Sequence, residues 1–507
     1  MELAPWCVAA VVGLGLVPTL AQAQSPVQKS FEQARGVLDT ALKAAGGIDA
    51  LRAVKDVTRT GKGTAFNQGQ SLKPDDPLTS RAVEVKSVVD FAGGRFATDA
   101  ATTPSGGNLT RTRNVVTAES GFGFNRLNGV MSPLTPTALG NAKSALRRDP
   151  AALLLTADAR ADSLRSLGDA NVDGSAQRAI SFADADGTEL TLYIDAKTGL
   201  VSKYETLADN AVLGDTLNEV VFSDYRAVGG VQLPFRVVNR TAGVITQDLA
   251  YSDIKVNAGA AAELFAEPPA SVARVAPGTP PTNVTLTSIG DNAYFVSGSS
   301  HNSLAVGFAD HVLLIEAPQS PERAAAVLTS VKAAFPGKPV RYVVPTHYHF
   351  DHSGGLRAAI AEGATVVTTP GNKAFVERMA STAHTVKPDA LSKSPRKAVV
   401  ETFSGKRVFQ DTTNIVELYD VGPSPHVAEI LVAYLPKEKV LFVADIFGVP
   451  QEGPLPPATA VNRDFADKVK KLGLVVDRFA PGHGKLGTQA DLAAVLAKNP
   501  PPDVAAQ

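Results

Sequence analysis

A proline-rich stretch divides this chain. Residues 267–282 read Glu-Pro-Pro-Ala-Ser-Val-Ala-Arg-Val-Ala-Pro-Gly-Thr-Pro-Pro-Thr. Proline locks φ and lacks an amide donor, so the stretch reads as a semi-rigid linker. The two sides differ in rhythm. On the N-terminal side, 24–266, a helix comes first, with Phe31, Ala34, Leu38, Ala41, Leu42 and Ala45 on one face and Gly46-Gly47 as its stop. Alternating strands follow over 188–194, 200–206, 217–225, 231–240 and 246–256, with one helix near 141–157 among them. This pattern predicts an α+β domain with a curved antiparallel sheet. On the C-terminal side, 283–507, strands alternate with helices. Strands are expected at 303–308, 311–316, 340–344, 365–369, 429–435, 440–443 and 475–479. The expected class there is a layered α/β domain.

Composition narrows the function classes. Of 507 residues, 44% are hydrophobic and 20% charged, which excludes a disordered tail, a collagen and a coiled coil. With 49 basic and 50 acidic residues, the chain has no electrostatic reason to bind nucleic acid. Its one cysteine, Cys7, lies in the apolar run Trp6–Leu20, ahead of Ala21-Gln22-Ala23. That segment reads as a signal peptide, residues 1–23, although no Lys or Arg precedes the apolar run. The expectation is a periplasmic or secreted protein whose mature chain has no cysteine, hence no disulfide and no thiolate ligand. No second apolar run is long enough for a transmembrane span.

The chemistry gathers in the C-terminal part. Three of the eight histidines fall in Thr346-His347-Tyr348-His349-Phe350-Asp351-His352, directly after an apolar strand. Alternate residues leaving a strand share a side, so His347 and His349 project together, and a turn brings Asp351 and His352 to the same space. Neutral imidazole and carboxylate suit zinc or a related divalent metal. His426, in Gly422-Pro-Ser-Pro-His426, Asp445, ending Val440-Leu-Phe-Val-Ala-Asp445, and His483, in Pro481-Gly-His483-Gly, follow further apolar runs. An acid closing a buried strand is costly unless paired or bound.

His-x-His-x-Asp-His, then a separate His, a strand-ending Asp and a late Pro-Gly-His, resembles the metallo-β-lactamase superfamily. The resemblance covers about 284–498 and implies an αββα sandwich with metals at one edge. It implies that His347, His349 and His426 hold one metal, that Asp351, His352 and His483 hold a second, and that Asp445 bridges both. The early strand of that family commonly ends in Asp; here it ends in Glu316, which bears on the support around the ligands. Glu316 and the segment Tyr434–Asp445 look more like the glyoxalase and lactonase-like branch than a dedicated β-lactamase. The implied protein is a dinuclear zinc hydrolase of a small-molecule ester, lactone, thioester or amide, with Fe or Mn as the other candidate metals. A metal-bound hydroxide attacks the carbonyl, and Asp351 orients it and relays a proton. A metallo-β-lactamase and an iron-dependent persulfide-type oxidoreductase are the alternatives within that resemblance.

The strand rhythm and the segment Tyr225–Val238 resemble lipoprotein-carrier-like half-barrels of bacterial envelopes. That likeness implies an apolar or lipid ligand at the N-terminal domain, and an envelope binding protein as a further alternative. His301 and His384 read as surface residues, and His311 as structural.

Overall fold

The Ser25 hydroxyl accepts from the Gln28 amide while the Gln28 side chain accepts from the Ser25 amide, and Pro26 opens the first turn. This capping box starts the helix Pro26–Ala44. The computed structural model describes residues 24–104, 109–127, 129–275 and 280–498. The expected signal segment, with Cys7, lies outside them, as do residues 276–279 of the proline-rich stretch. The helix buries Ala34, Leu38, Ala41 and Leu42, the face its periodicity predicts, against Phe182, Leu190, Leu192 and Ile194 of a large sheet.

That sheet has fourteen strands among the described residues. The five expected strands form as Glu189–Asp195, Val201–Asn210, Gly214–Val228, Val231–Thr241 and Val244–Val256, each antiparallel to the next. Asp56–Asn67 then pairs with Val244–Val256 on one side and with Thr79–Asp90 on the other. The helix expected near 141–157 is instead two helices, Pro136–Arg147 and Leu153–Ala159. Pro150 stands between them, where its missing amide and its ring oppose a continuous helix. Within the proline-rich stretch, Ala273–Arg274 pairs in parallel with Val130–Pro133, so that piece adds a strand to the sheet edge.

The C-terminal part is built on two facing sheets, of seven and six strands among the described residues. Leu304, Val306, Leu313, Ile315 and Val344 of one meet Val416, Leu418, Leu431, Val440 and Phe442 of the other in a shared core. Their neighbours Ala305, Val312, Leu314, Val343, Leu441 and Val443 pack into a second core with residues of the helices Pro321–Ala334, Leu356–Ala361, Ala460–Leu472 and Gln489–Ala497. Strands buried on both faces read as continuous apolar runs, which is why this half lacks alternation. The expected αββα layering is present. The last expected strand lies later, at Arg478–Pro481.

Topology sets where the loops open. Val312–Ile315, Val340–Val344 and Thr365–Thr368 run parallel, as do Val440–Val443 and Arg478–Pro481. Parallel neighbours end on the same side, so chemistry placed after them collects at one edge. No helix among the described residues is long and apolar enough to cross a membrane.

Candidate metal centre

Strand ends deliver the side chains. His347, His349, Asp351 and His352 follow Val340–Val344, Asp445 follows Val440–Val443 and His483 follows Arg478–Pro481. His426 comes from the loop between Ile415–Asp420 and Leu431–Leu435. All seven expected residues meet, joined by His301. The donors fall into two groups, His347, His349, His426 and Asp445 in one, His301, Asp351, His352 and His483 in the other; within each, the ligand atoms lie within 4.8 Å of one another.

Asp445 faces both groups with separate oxygens. Its Oδ2 lies 3.1 Å from His426 Nε2 and 3.8 Å from His347 Nε2. Its Oδ1 lies 2.9 Å from His352 Nε2 and 3.0 Å from His483 Nε2. The His352 approach is close but out of line for a hydrogen bond, leaving both atoms buried without a hydrogen-bond partner. His349 Nδ1 is likewise buried and unpartnered. Buried polar atoms left without hydrogen-bond partners in both donor groups fit bound cations, and the donor types fit zinc.

The far side of four of the rings is held. Carbonyl and carboxylate oxygens only accept, so their partners fix which nitrogen carries the proton. His352 Nδ1 donates to Glu316 Oε2 at 2.9 Å, and His483 Nδ1 donates to the Ser300 carbonyl at 3.1 Å. His349 Nε2 donates to the carbonyl of Ser71 at 3.0 Å, from the N-terminal sheet domain. His347 Nδ1 pairs with the Thr346 hydroxyl at 3.0 Å.

Electrostatics keep His347, His349 and Asp445 in their metal-binding forms. Burial, aided by the His426 ring, lowers His349 to about 4. Burial and the neighbouring imidazoles lower His347 well below 6.5. Burial raises Asp445, but the imidazoles of His352, His426 and His483 outweigh it and hold the carboxylate far below its usual range. His352 is the exception. Burial lowers it, yet the carboxylates of Glu316 and Asp445 raise it well above 6.5. A proton there occupies the position a cation would take.

Two expectations need correction. His301 is not a surface residue of a hairpin end: its Nε2 lies 3.2 Å from Asp351 Oδ2 and its ring centroid 4.1 Å from that of His483. The strand before it, Ala293–Ser297, is antiparallel to Ser303–Gly307, itself antiparallel to Val312–Ile315. Its end therefore opens at the same edge as the other ligands, a signal available only once strand directions are known. His384 is not on the surface either. It is buried, with Nδ1 2.6 Å from Asp209 Oδ1 of the N-terminal domain. His311 is structural, as expected, stacked on Phe308. Glu316, at the variant position, is fully buried, and its second oxygen accepts from the Thr346 amide at 2.6 Å. In the N-terminal domain, a cavity of about 450 Å³ is lined by charged and apolar side chains together, among them Arg59, Arg148, Glu219, Val220, Phe222 and Val237.

Residues 296–496 match the family model of the metallo-beta-lactamase superfamily. Among solved structures, the chain is similar to a metallo-beta-lactamase from Pontibacter korlensis at 23% identity, over 42% of this chain and 97% of that one, with a TM-score of 0.33. It is similar to the FIM-1 metallo-beta-lactamase from Pseudomonas aeruginosa, in its mono-zinc form, at 17% identity, over 42% and 93% respectively, with a TM-score of 0.32.

Proposed function

We propose, on the premise that residues 296–496 match the metallo-beta-lactamase superfamily, a family of generally hydrolytic metalloenzymes, that the protein is an exported dinuclear zinc hydrolase acting on an ester, lactone, thioester or amide. One observation carries the reading: the two oxygens of Asp445 face two separate donor groups. Imidazole and carboxylate donors without thiolate suit zinc, and iron or manganese accept the same set. Export is supported by the apolar run and Ala21-Gln22-Ala23.

When bound, two such cations supply a water acidic enough to ionise near neutral pH and an electrophile for the carbonyl oxygen. The chain's own residues do the rest. Glu316, Ser71 and Ser300 hold the rings of His352, His349 and His483 so that their free nitrogens face inward. His347, His349 and His352 are sealed from solvent, while Asp351 and His483 remain more than a third exposed, so substrate enters on their side. Burial raises Asp351, but the hydrogen bond from His301 and the charge of His352 hold it below the usual carboxylate range. Asp351 is thus ionised at neutral pH, which suits it to orienting a water more than to retaining its proton.

The test is elemental analysis of the mature protein purified without added metal, followed by a panel of lactones, esters, thioesters and β-lactams. About two zinc ions per chain are expected, with hydrolysis that Asp445→Asn abolishes. Turnover of β-lactams alone would make it a β-lactamase. One iron per chain would point to oxidative chemistry. Failure to bind any metal, even on zinc titration, would sink the enzyme reading.

A further inference from the structure

Between the strands Asp56–Asn67 and Thr79–Asp90 of the N-terminal sheet runs a connection, Gln68-Gly-Gln-Ser-Leu-Lys-Pro-Asp-Asp-Pro-Leu78. The two strands pair along their whole length, from Asp56 opposite Asp90 to Asn67 opposite Thr79, so the connection is carried on the tip of a long two-stranded ribbon. A hairpin needs only about 2–5 residues to turn. The extra length is not slack. Ser71 is buried, its hydroxyl donates to the Pro77 carbonyl at 3.0 Å, and the segment lies across the candidate metal centre of the other domain.

Its contacts are directed at the loops that carry the ligands. The Ser71 carbonyl accepts from His349 Nε2 at 3.0 Å and from the Tyr348 hydroxyl at 2.6 Å. The Lys73 carbonyl accepts from the same hydroxyl at 3.0 Å. The Leu72 carbonyl accepts from the Ala428 amide at 2.9 Å, in the loop of His426. Gln70 Nε2 donates to Asp351 Oδ1 at 2.7 Å. Gly69, at φ 71°, lies so close to Phe350 that a Cβ there would run into the aromatic ring.

We propose that this strap is a working part of the metal centre: the Ser71 carbonyl sets the tautomer and rotation of His349, and Gln70 sets the orientation of Asp351, so both metal positions take part of their support from the N-terminal domain. A carbonyl on Nε2–H leaves the lone pair on Nδ1, and Nδ1 is the atom found buried, unpartnered and facing the cluster. With Oδ1 occupied by Gln70, Asp351 presents Oδ2 to the group of His301, His352 and His483. Gln70 and Ser71 are positioning residues, acting through Asp351 and His349. The domain thereby has a role that neither a spacer nor a separate carrier would have.

The inference rests on the metal reading above, and its test separates the two. Full-length wild type, Gln70→Leu and Gly69→Val are compared by competition titration of zinc against a chromogenic chelator. The imidazole ¹⁵N shifts of the metal-free proteins are recorded alongside. Supporting contacts of this kind are worth about 10–100-fold in metal affinity. Gln70→Leu removes only the donor to Asp351 and is expected to weaken one of two zinc equivalents by about that factor, leaving the other in place. Gly69→Val lifts the strap from Phe350, with Gln70 and Ser71 together, and is expected to weaken both equivalents and to lose the Nε2–H tautomer of His349. A merely structural strap would lower both equivalents together with thermal stability and leave the tautomer unchanged. Unchanged affinities and tautomer in both variants, with two zinc ions in wild type, overturn the inference alone. Wild type that binds no zinc overturns the metal reading, and the inference with it.

Discussion

At the scale of the residue, Glu316 shows how much the site asks of one side chain. It is fully buried and its backbone sits at φ 69°, a left-handed conformation that costs a non-glycine residue about 1 kcal/mol or more. A carboxylate buried without partners would add a larger cost. Both oxygens are used instead, one by the Thr346 amide and one by His352 Nδ1. The first ties down the loop entering the ligand run, and the second aims His352 Nε2 inward. Glu316→Gln keeps the shape but replaces one acceptor oxygen by a donor. Zinc affinity at the position of His352 is expected to fall about 10–100-fold in a chelator competition, with a similar melting temperature. An unchanged affinity would reduce Glu316 to a packing residue.

At the scale of the element, the short loop 298–302 has to hold His301 in place without regular structure of its own. Arg323, in the first turn of the helix Pro321–Ala334, supplies the anchor. Its guanidinium is fully buried and donates to the carbonyls of Pro281, Asn283, Ser297 and His301. Burial lowers its pKa to about 10, so it remains charged at neutral pH. The end of the proline-rich stretch and the residue after it, the end of Ala293–Ser297 and the His301 loop are thereby tied to one helix. Arg323→Met keeps much of the volume but strands these carbonyls, at about 1–3 kcal/mol for each group left buried and unpaired. The expected loss is about 3 kcal/mol or more, read from urea unfolding. An unshifted midpoint would mean that the carbonyls find water or other donors.

At the scale of the whole molecule, the N-terminal domain grips the other, among the described residues, at two places. One is the strap over the metal centre. The other is the tip between Val201–Asn210 and Gly214–Val228, where Val212 packs into the C-terminal core and the Asp215 carboxylate accepts from the Thr385 and Val386 amides. The site's titrating groups then give the whole fold a pH signature. Unperturbed histidine titrates near 6.5. Below that value the unfolded chain takes up protons that folded His347 and His349 refuse. Their contribution to stability is full above 6.5 and is lost as pH falls below it, toward about 4 in the case of His349. His352 has the opposite sign. Its contribution is full below 6.5 and is lost as pH rises through its raised folded value. The metal-free protein is therefore expected to melt highest near pH 6.5, with a decline on both sides. Zinc takes the place of the proton on His352, so saturation should remove the alkaline decline. Melting curves across pH, with chelator and with zinc, check this; an alkaline decline that survives saturating zinc would contradict it.

Residue type and spacing marked the ligand run 347–352, and strand-end positions together with the family resemblance singled out His426, Asp445 and His483, because metal donors and strand ends leave local marks. The apolar runs of the C-terminal strands and the alternation of the N-terminal ones were local too, and they separated a two-sided sandwich from a large antiparallel sheet. What chain order could not supply was direction and distance. His301 joins the site because three strands alternate in direction, and no pattern around Ser299–Ser303 records that. His384 read as a surface residue and no sequence pattern singles out Arg323 or Gln70, yet each owes its role to a partner far along the chain. The continuous helix expected across Pro150 failed for a local reason visible in the residue itself. The strap is the clearest tertiary decision: Gln68–Leu78 is a loop by composition, and only the docking of one domain on the other turns its carbonyls into partners of a histidine nearly three hundred residues away.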